Sequence, residues 1–172
     1  MAEVSPTPVR RTITLERFYE APVETVWEFW TSKSGFEAWW GPAGFTTEVT
    51  AIDIRPGGRI VYVMSASEPD TKEFLERQGL PMATEHVLTI REVALHRRLV
   101  TRTVVDFIPG VAVYEVGMVV ELNATQTGTR LVVTLDAMHD QHWTKMSILG
   151  WESQLERLAR MVAEGVSPPR PR

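Results

Sequence analysis

Two sites in this chain have residue types that suit chemistry, and the first is a turn rich in histidine. His139 and His142 flank Asp140, and imidazole nitrogens with a nearby carboxylate are common ligands of zinc and related metals. The competing interpretation is a helix N-cap at Asp140 with two partly exposed histidines beside it. Because no third ligand is placed close by, we expect neither a metal site nor a bound cofactor.

The second is His86, which begins a predicted strand directly after a polar segment. If it keeps the register of Leu88 and Ile90, its ring points to the same side as those apolar residues. A histidine buried among apolar groups tends to stay neutral and can act as a general base. The alternative is a histidine at the rim whose hydrogen bonds neighbouring groups satisfy. No catalytic residue is assigned at this stage, and whether the protein is an enzyme stays open.

Arg102, Asp106 and Tyr114 are further polar candidates on predicted strands. Arg102 and Asp106 share one face of their strand, where they would anchor a carboxylate or carbonyl if that face is inward and would be ordinary surface charges if it is outward. Alternation does not decide between these, because both sets of neighbours are apolar. Tyr114 belongs to the buried set of its strand, so its hydroxyl needs a partner there, which is a ligand, Asp106 or a water.

Composition excludes several classes of function. The 172 residues include no cysteine, so disulfides, thiolate catalysis and cysteine-based zinc sites are ruled out. The net charge is −4 with no basic run, which disfavours nucleic acid and anionic membranes as partners. Nucleophile elbows, phosphate loops, dinucleotide fingerprints and paired-carboxylate motifs are lacking. We expect a cytoplasmic protein without membrane-spanning segments, as a monomer or homodimer.

The elements that position these residues are mainly strands, followed by one long helix. Two short helices follow the first strand, the first opened by Pro22 and the second over about 34–40. The segment 68–83 is an insertion, helical over about 71–78, that is either a surface decoration or a lid. One domain over 10–165 is predicted, with flexible ends at 1–9 and 166–172. The predicted strands are 10–19, 45–54, 59–65, 85–93, 98–107, 112–122 and 129–136.

The last helix, predicted over 142–164 with Asp140 as its N-cap, is the only element long enough to cover the sheet. Its apolar stripe has an unusual shoulder of small or polar residues, Ser147, Gly150 and Gln154. A glycine inside a helix costs about 1 kcal/mol relative to alanine. Either another backbone comes close at Gly150, or the helix borders a space.

Several segments resemble a known family. The order strand, two helices, six strands and long helix is similar to the helix-grip order of the START-like, or SRPBCC, superfamily. Ala21-Pro22, Trp39-Trp40-Gly41-Pro42 with Gly44-Phe45, Asp53 with Arg55-Pro56-Gly57-Gly58, and Gly150-Trp151-Glu152 resemble the branch named after the activator of the heat-shock-protein-90 ATPase. The resemblance covers about residues 10–164, and the chain departs from the common pattern at 68–83.

The resemblance implies an α+β fold in which a curved antiparallel sheet of six or seven strands wraps around the C-terminal helix. It also implies a hydrophobic cavity between them, so the leading hypothesis is binding of a small hydrophobic or aromatic molecule. The alternatives are a cyclase, dehydratase or hydrolase using the same cavity, and a chaperone-linked module with a protein partner and a role in stress response. The predicted ligand-binding residues are Trp39, Trp40, Phe45, Tyr62, Met64, His86, Arg102, Tyr114, Met118, Met146, Gly150 and Gln154.

Overall fold

The computed structural model describes residues 11–164 and contains one curved antiparallel sheet of seven strands. The strands are β1 Thr12–Tyr19, β2 Phe45–Ile52, β3 Arg59–Ala66, β4 Ala83–Ala94, β5 Arg98–Val105, β6 Tyr114–Ala124 and β7 Thr129–Asp136. Their order in the sheet is β1-β7-β6-β5-β4-β3-β2, so the first strand of the chain pairs with the last.

Four helices accompany the sheet in residues 11–164. The first two follow β1, the third lies in the insertion between β3 and β4, and the fourth ends the described chain. They are α1 Val23–Thr31, α2 Lys33–Trp39, α3 Pro69–Arg77 and α4 Gln141–Ala163. The predicted α+β helix-grip architecture is therefore confirmed. The arm predicted for 1–9 and the tail predicted for 166–172 lie outside the described residues.

The sheet buries one face, as the alternation in its strands predicts. In β7 the side chains of Leu131, Val133 and Leu135 are buried, while the residues between them are partly exposed. Leu155 and Leu158 of α4 are fully buried in the same apolar core. A single long helix thus covers the inner face of an antiparallel sheet, so the apolar faces of the helix and the sheet are buried against each other.

Helices α1 and α2 close one end of the space between α4 and the sheet with aromatic side chains. Trp30 packs edge-on against Trp39 at 4.6 Å between ring centroids, and it stacks on Trp151 of α4 at 6.2 Å. Phe36 stacks on Trp40 at 4.4 Å. Such pairs add stabilisation beyond the apolar area that they bury. This aromatic cluster attaches the two short helices to α4.

Two boundaries differ from the sequence prediction in ways that matter for the site. Pro22 is the N-cap of α1 rather than its first helical residue, because its ψ of 156° is extended. Strand β5 ends at Val105, so Asp106 lies beyond the strand and is exposed. The prediction that Arg102 and Asp106 lie on one strand is therefore wrong.

Helix α4 begins where the sequence predicts, at an aspartate cap. The Asp140 side chain accepts a hydrogen bond from the Trp143 N–H at 2.7 Å. Replacing Asp140 with alanine removes that acceptor and is expected to lower the free energy of unfolding by about 1 kcal/mol in urea denaturation. Asp140→Asn keeps a capping oxygen and should retain most of the stability, and Gln141→Ala at the exposed neighbour is the control. An asparagine variant as unstable as the alanine variant would show that the charge, and not the cap, matters.

Candidate functional site

A cavity of about 340 Å³ lies between the sheet, α4 and the insertion. Its wall is built mostly from aromatic, aliphatic and methionine side chains, and among the described residues that line it none is Asp, Glu, Lys or Arg. The size and apolar character are those of pockets that bind small molecules, which span roughly 300–1,000 Å³. Eight residues predicted from the sequence line this cavity, which are Trp40, Phe45, Tyr62, Met64, His86, Met146, Gly150 and Gln154.

The first half of α4 forms one wall of the cavity, through Trp143, Met146, Ser147 and Gly150. These residues recur at intervals of three and four, so they lie on one side of the helix. A Cβ added at Gly150 meets nothing within 4 Å. Of the two explanations for this glycine, a close backbone and a neighbouring space, the structure supports the space.

The turn Trp40–Phe45 is held against α4 by side chains of the helix. Gln154 is buried and accepts a hydrogen bond from the Gly41 N–H at 3.1 Å. Arg157 donates to the Phe45 carbonyl at 3.2 Å. Gly41 has φ of 96°, a left-handed conformation that favours glycine. Gly41 therefore lets the chain reverse direction beside α4, with the Gly41 N–H directed at Gln154.

The insertion covers part of the cavity and is attached to the same turn. Ser67 donates to the Gly44 carbonyl through its N–H at 2.8 Å and its hydroxyl at 3.0 Å. Thr71 of α3 lies so close to Gly44 that a Cβ there would be 2.0 Å from its hydroxyl. Side chains of the insertion that line the cavity are Phe74, Leu75, Leu80, Pro81 and Met82.

The part of the cavity wall that the insertion contributes is partly exposed to solvent. Phe74 is 43% exposed and Met82 is 39% exposed, although both line the cavity. The wall residues on the opposite side, such as Trp40 and Tyr62, are buried. The insertion therefore supplies a more exposed side of the cavity wall than Trp40 and Tyr62 do.

His86 lies in the cavity wall with the register that the sequence analysis required. Its ring stacks on Tyr62 of β3, at 5.2 Å, and meets Phe107 edge-on at 5.5 Å. The His86 Nε2 and the Thr84 hydroxyl share a hydrogen bond of 2.6 Å. Burial lowers the pKa of His86 below its ordinary value, although the nearby charge of Asp106 partly opposes this. The ring is therefore held mainly neutral between aromatic faces.

Tyr62 is the other ionisable group at the centre of the wall. Burial raises its pKa to about 12, against a smaller opposing effect of a hydrogen bond with Trp40. The phenol therefore keeps its proton at neutral pH and offers a hydroxyl rather than an oxyanion. Together with His86, Thr84 and Ser147, it gives an apolar wall a small number of neutral polar groups.

Four predicted site residues lie elsewhere. Trp39 is fully buried in the core, where its indole N–H donates to the Phe29 carbonyl at 2.8 Å. Arg102 lies on the outer face of the sheet and pairs with Glu115 at 3.3 Å. Tyr114 finds the partner that its position requires in His139, with its hydroxyl 2.8 Å from Nδ1. Met118 lines a second cavity.

This second cavity has a volume of about 130 Å³ and lies between β5, β6, β7 and α4. We call the first cavity the outer cavity and this one the inner cavity. The two adjoin each other, because five residues line both: Trp40, Tyr62, Met138, Ser147 and Trp151. Thr101 and Thr103 of β5 face the inner cavity. Sequence reasoning missed them because both faces of that strand carry apolar residues, so the alternation does not show which face is buried. The cavity-lining residues of the insertion were also missed, because no apolar periodicity in that segment indicates which of its sides faces the cavity.

The histidine-rich turn does not assemble a metal centre. Within residues 11–164, no group of three or more His, Cys, Asp or Glu side chains is arranged to hold a metal ion. His139 contacts Tyr114 and lies 3.4 Å from the Asp140 carboxylate. In the same range, no helix combines the length and apolarity needed to cross a bilayer.

A sequence model of one family, described as Activator of Hsp90 ATPase homolog 1-like protein, matches residues 20–163. The chain belongs to this family. The AHSA1-like match runs from the residue after β1 through the end of α4 and includes the insertion. It confirms the resemblance drawn from the Trp-Trp-Gly-Pro and Gly-Trp-Glu motifs, and it supports the coarse assignment of the chain to the SRPBCC ligand-binding fold. A search of curated proteins finds no significant match.

Solved structures similar to this AHSA1-like chain share its fold at low identity. A crystal structure of a protein from Chromobacterium violaceum is 22% identical, with TM-score 0.69 over 88% of this chain and 97% of that one. The AHSA1 protein from Silicibacter pomeroyi is 18% identical, with TM-score 0.70 over 90% of this chain and 99% of that one. An AHSA1-like protein from Aeromonas hydrophila is 20% identical, with TM-score 0.66 over 94% and 99%.

The empty space beside Gly150 leads to a prediction about stability. Gly150→Ala places its methyl group in the cavity without a clash and should raise the free energy of unfolding by about 1 kcal/mol, the helical preference of alanine over glycine. Gly35→Ala is the matched control in α2, because its Cβ would lie 2.6 Å from the Glu28 carbonyl. That variant should lose about 1–3 kcal/mol. Urea denaturation measures both, and a destabilised Gly150→Ala would contradict the space.

The lowered pKa of His86 predicts how stability depends on pH. The unfolded state binds the proton more readily, with a pKa of about 6.5, so the free energy of unfolding should fall as the pH drops below that value. His86→Gln removes this contribution and should flatten the stability profile between pH 8 and 5. His142→Gln, at an exposed position, should keep the wild-type slope. Identical slopes for wild type and His86→Gln would refute the argument.

Proposed function

We propose that the protein binds a small hydrophobic or aromatic molecule in the outer cavity. The observation that carries the proposal is the wall itself, in which aromatic and thioether side chains surround about 340 Å³. Among the described residues of that wall, none carries a formal charge apart from a protonatable histidine. Burial of an apolar ligand in such a space is favourable in proportion to the area that it removes from water. Tyr62, His86 and Ser147 supply the few polar groups that orient a ligand.

Gly150 adds independent support. A glycine inside a long helix is unfavourable, and an alanine would fit without contact, so packing does not explain the choice. A larger side chain at this position would project into the space between α4 and the opposite wall. Retaining the glycine keeps that space available, which is what a binding cavity requires.

The insertion is proposed to act as a lid. Its apolar residues complete the wall on the side where the cavity meets solvent, and its attachment runs through the Gly44 carbonyl. Phe74 and Met82 are partly exposed in this arrangement and become more buried if a ligand draws the insertion inward. Catalysis with His86, a chaperone-linked partner, a cytoplasmic location and a monomeric or dimeric state all stay predictions.

A substitution that fills the cavity tests the proposal directly. Gly150→Leu should weaken binding of N-phenyl-1-naphthylamine, an uncharged probe whose fluorescence rises in apolar surroundings, by tenfold or more. Leu149→Phe adds comparable bulk at the next residue, which is 53% exposed, and should bind as the wild type does. Both variants should keep the wild-type melting temperature within a few degrees, since a Cβ at Gly150 meets open space and Leu149 is exposed.

Two results would count against the proposal. One is a folded Gly150→Leu protein that binds the probe as tightly as the wild type, because the ligand would then lie elsewhere. The other is a wild-type protein that does not bind the probe at all. Native mass spectrometry of protein purified without detergent complements the titration by showing whether a molecule from the cell occupies the wild type and is lost in Gly150→Leu.

A further inference from the structure

The inner cavity contains two buried hydroxyl groups that have no hydrogen-bond partner. Among residues 11–164, three buried side-chain polar atoms lack a partner, and two of them are the Oγ1 atoms of Thr101 and Thr103. The third is the indole nitrogen of Trp30 in the aromatic cluster. Buried polar groups in proteins are nearly always hydrogen-bonded, so a pair of exceptions facing one cavity calls for an explanation.

Packing does not require these hydroxyls. Thr101 is completely buried on the inner face of β5, where its neighbours on that face, Leu99 and Val105, are apolar. Valine has nearly the same shape and would avoid the cost of desolvating a hydroxyl. Thr103 repeats the arrangement two residues along the strand, roughly 7 Å away. The hydroxyls therefore face a space in which a partner from outside the protein can reach them.

The inner cavity adjoins the outer cavity, so a ligand held there could supply that partner. The inner and outer cavities share five wall residues, so a molecule in the outer cavity borders directly on the inner one. The inner wall contains no Lys, Arg or His among the described residues, and its one acidic residue, Asp136, accepts a hydrogen bond from the Gly117 N–H at 2.8 Å. An anionic group entering here would find no cation.

We infer that the inner cavity is a polar subsite that receives the uncharged hydroxyl or carbonyl end of an otherwise apolar ligand. The inference rests on the proposed function, since the apolar body of the same ligand occupies the outer cavity. A threonine hydroxyl both donates and accepts, so Thr101 and Thr103 suit an alcohol, a phenol or a ketone. The ligand class is thus narrowed from any hydrophobic molecule to a neutral one with a polar end.

The test compares two naphthalenes of almost equal shape, 2-naphthol and 2-methylnaphthalene, in displacing N-phenyl-1-naphthylamine. The double variant Thr101→Val/Thr103→Val should bind 2-naphthol about tenfold more weakly, as expected for losing a hydrogen bond of about 1.4 kcal/mol. It should bind 2-methylnaphthalene as well as the wild type or better. Thr134→Val, a partly buried threonine on the outer face of β7, is the control and should change neither affinity.

The melting temperature separates recognition from a structural role. Because the hydroxyls have no hydrogen-bond partner within the protein, the double variant should melt at the wild-type temperature or higher. A lower melting temperature would overturn the inference, since the hydroxyls would then be bonded to structural water. The same follows if the variant binds both naphthalenes equally more weakly, or binds 2-naphthol as the wild type does.

A charged analogue tests the preference for a neutral end. 2-Naphthoate carries its carboxylate at the same ring position and should displace the probe at least tenfold less well than 2-naphthol from the wild type. Equal affinities would overturn the assignment of a neutral ligand. If none of the naphthalenes displaces the probe and the probe itself does not bind, the proposed function fails as well; a probe that binds and is displaced leaves that function standing whatever the threonines do.

Discussion

The buried hydrogen bond between Gln154 and the Gly41 N–H is the contact on which the other parts of the site depend. It joins the centre of α4 to the turn Trp40–Phe45, and Arg157 secures the same turn one helical turn later. This turn places Trp40 and Phe45 in the cavity wall, and its Gly44 carbonyl accepts a hydrogen bond from the insertion. Losing this bond would leave a buried amide group and a buried N–H unsatisfied, which is costly in an apolar interior.

The two halves of helix α4 have different surroundings. Beyond Gln154, its inward side chains are Leu155 and Leu158, which are completely buried in the core. Before Gln154, the inward positions are Met146, Ser147 and Gly150, which line the cavity. One half of the helix thus supplies stability and the other half tolerates unfilled space. Gly150 is the position in the first half of α4 where the residue type departs from the local helical preference, and departures of this kind are common at functional sites.

Sequence reasoning predicted the architecture because periodicity reports burial on one face of a strand or helix. It also singled out Gly150 as a position beside either a close backbone or a space, because a helical glycine is costly, and the structure has the space. It failed where a neighbour in space decides the outcome. Trp39 and Trp40 are adjacent in sequence, yet only Trp40 lines the cavity, because α2 ends between them and turns the two side chains apart. On β5, apolar residues at both alternations concealed that Thr101 faces inward and Arg102 outward.

The two sides of the outer cavity differ in how firmly they are held. The sheet side consists of strands that pair along their whole length, whereas α3 makes few contacts with other elements and is attached mainly through the Gly44 carbonyl and Thr71. Segments with few buried contacts open at lower free energy than paired strands do. Under the proposed function, an apolar molecule would enter by displacing the insertion without disturbing the wall that carries Tyr62 and His86. Recognition would then belong to the paired sheet, and access to the segment inserted between β3 and β4.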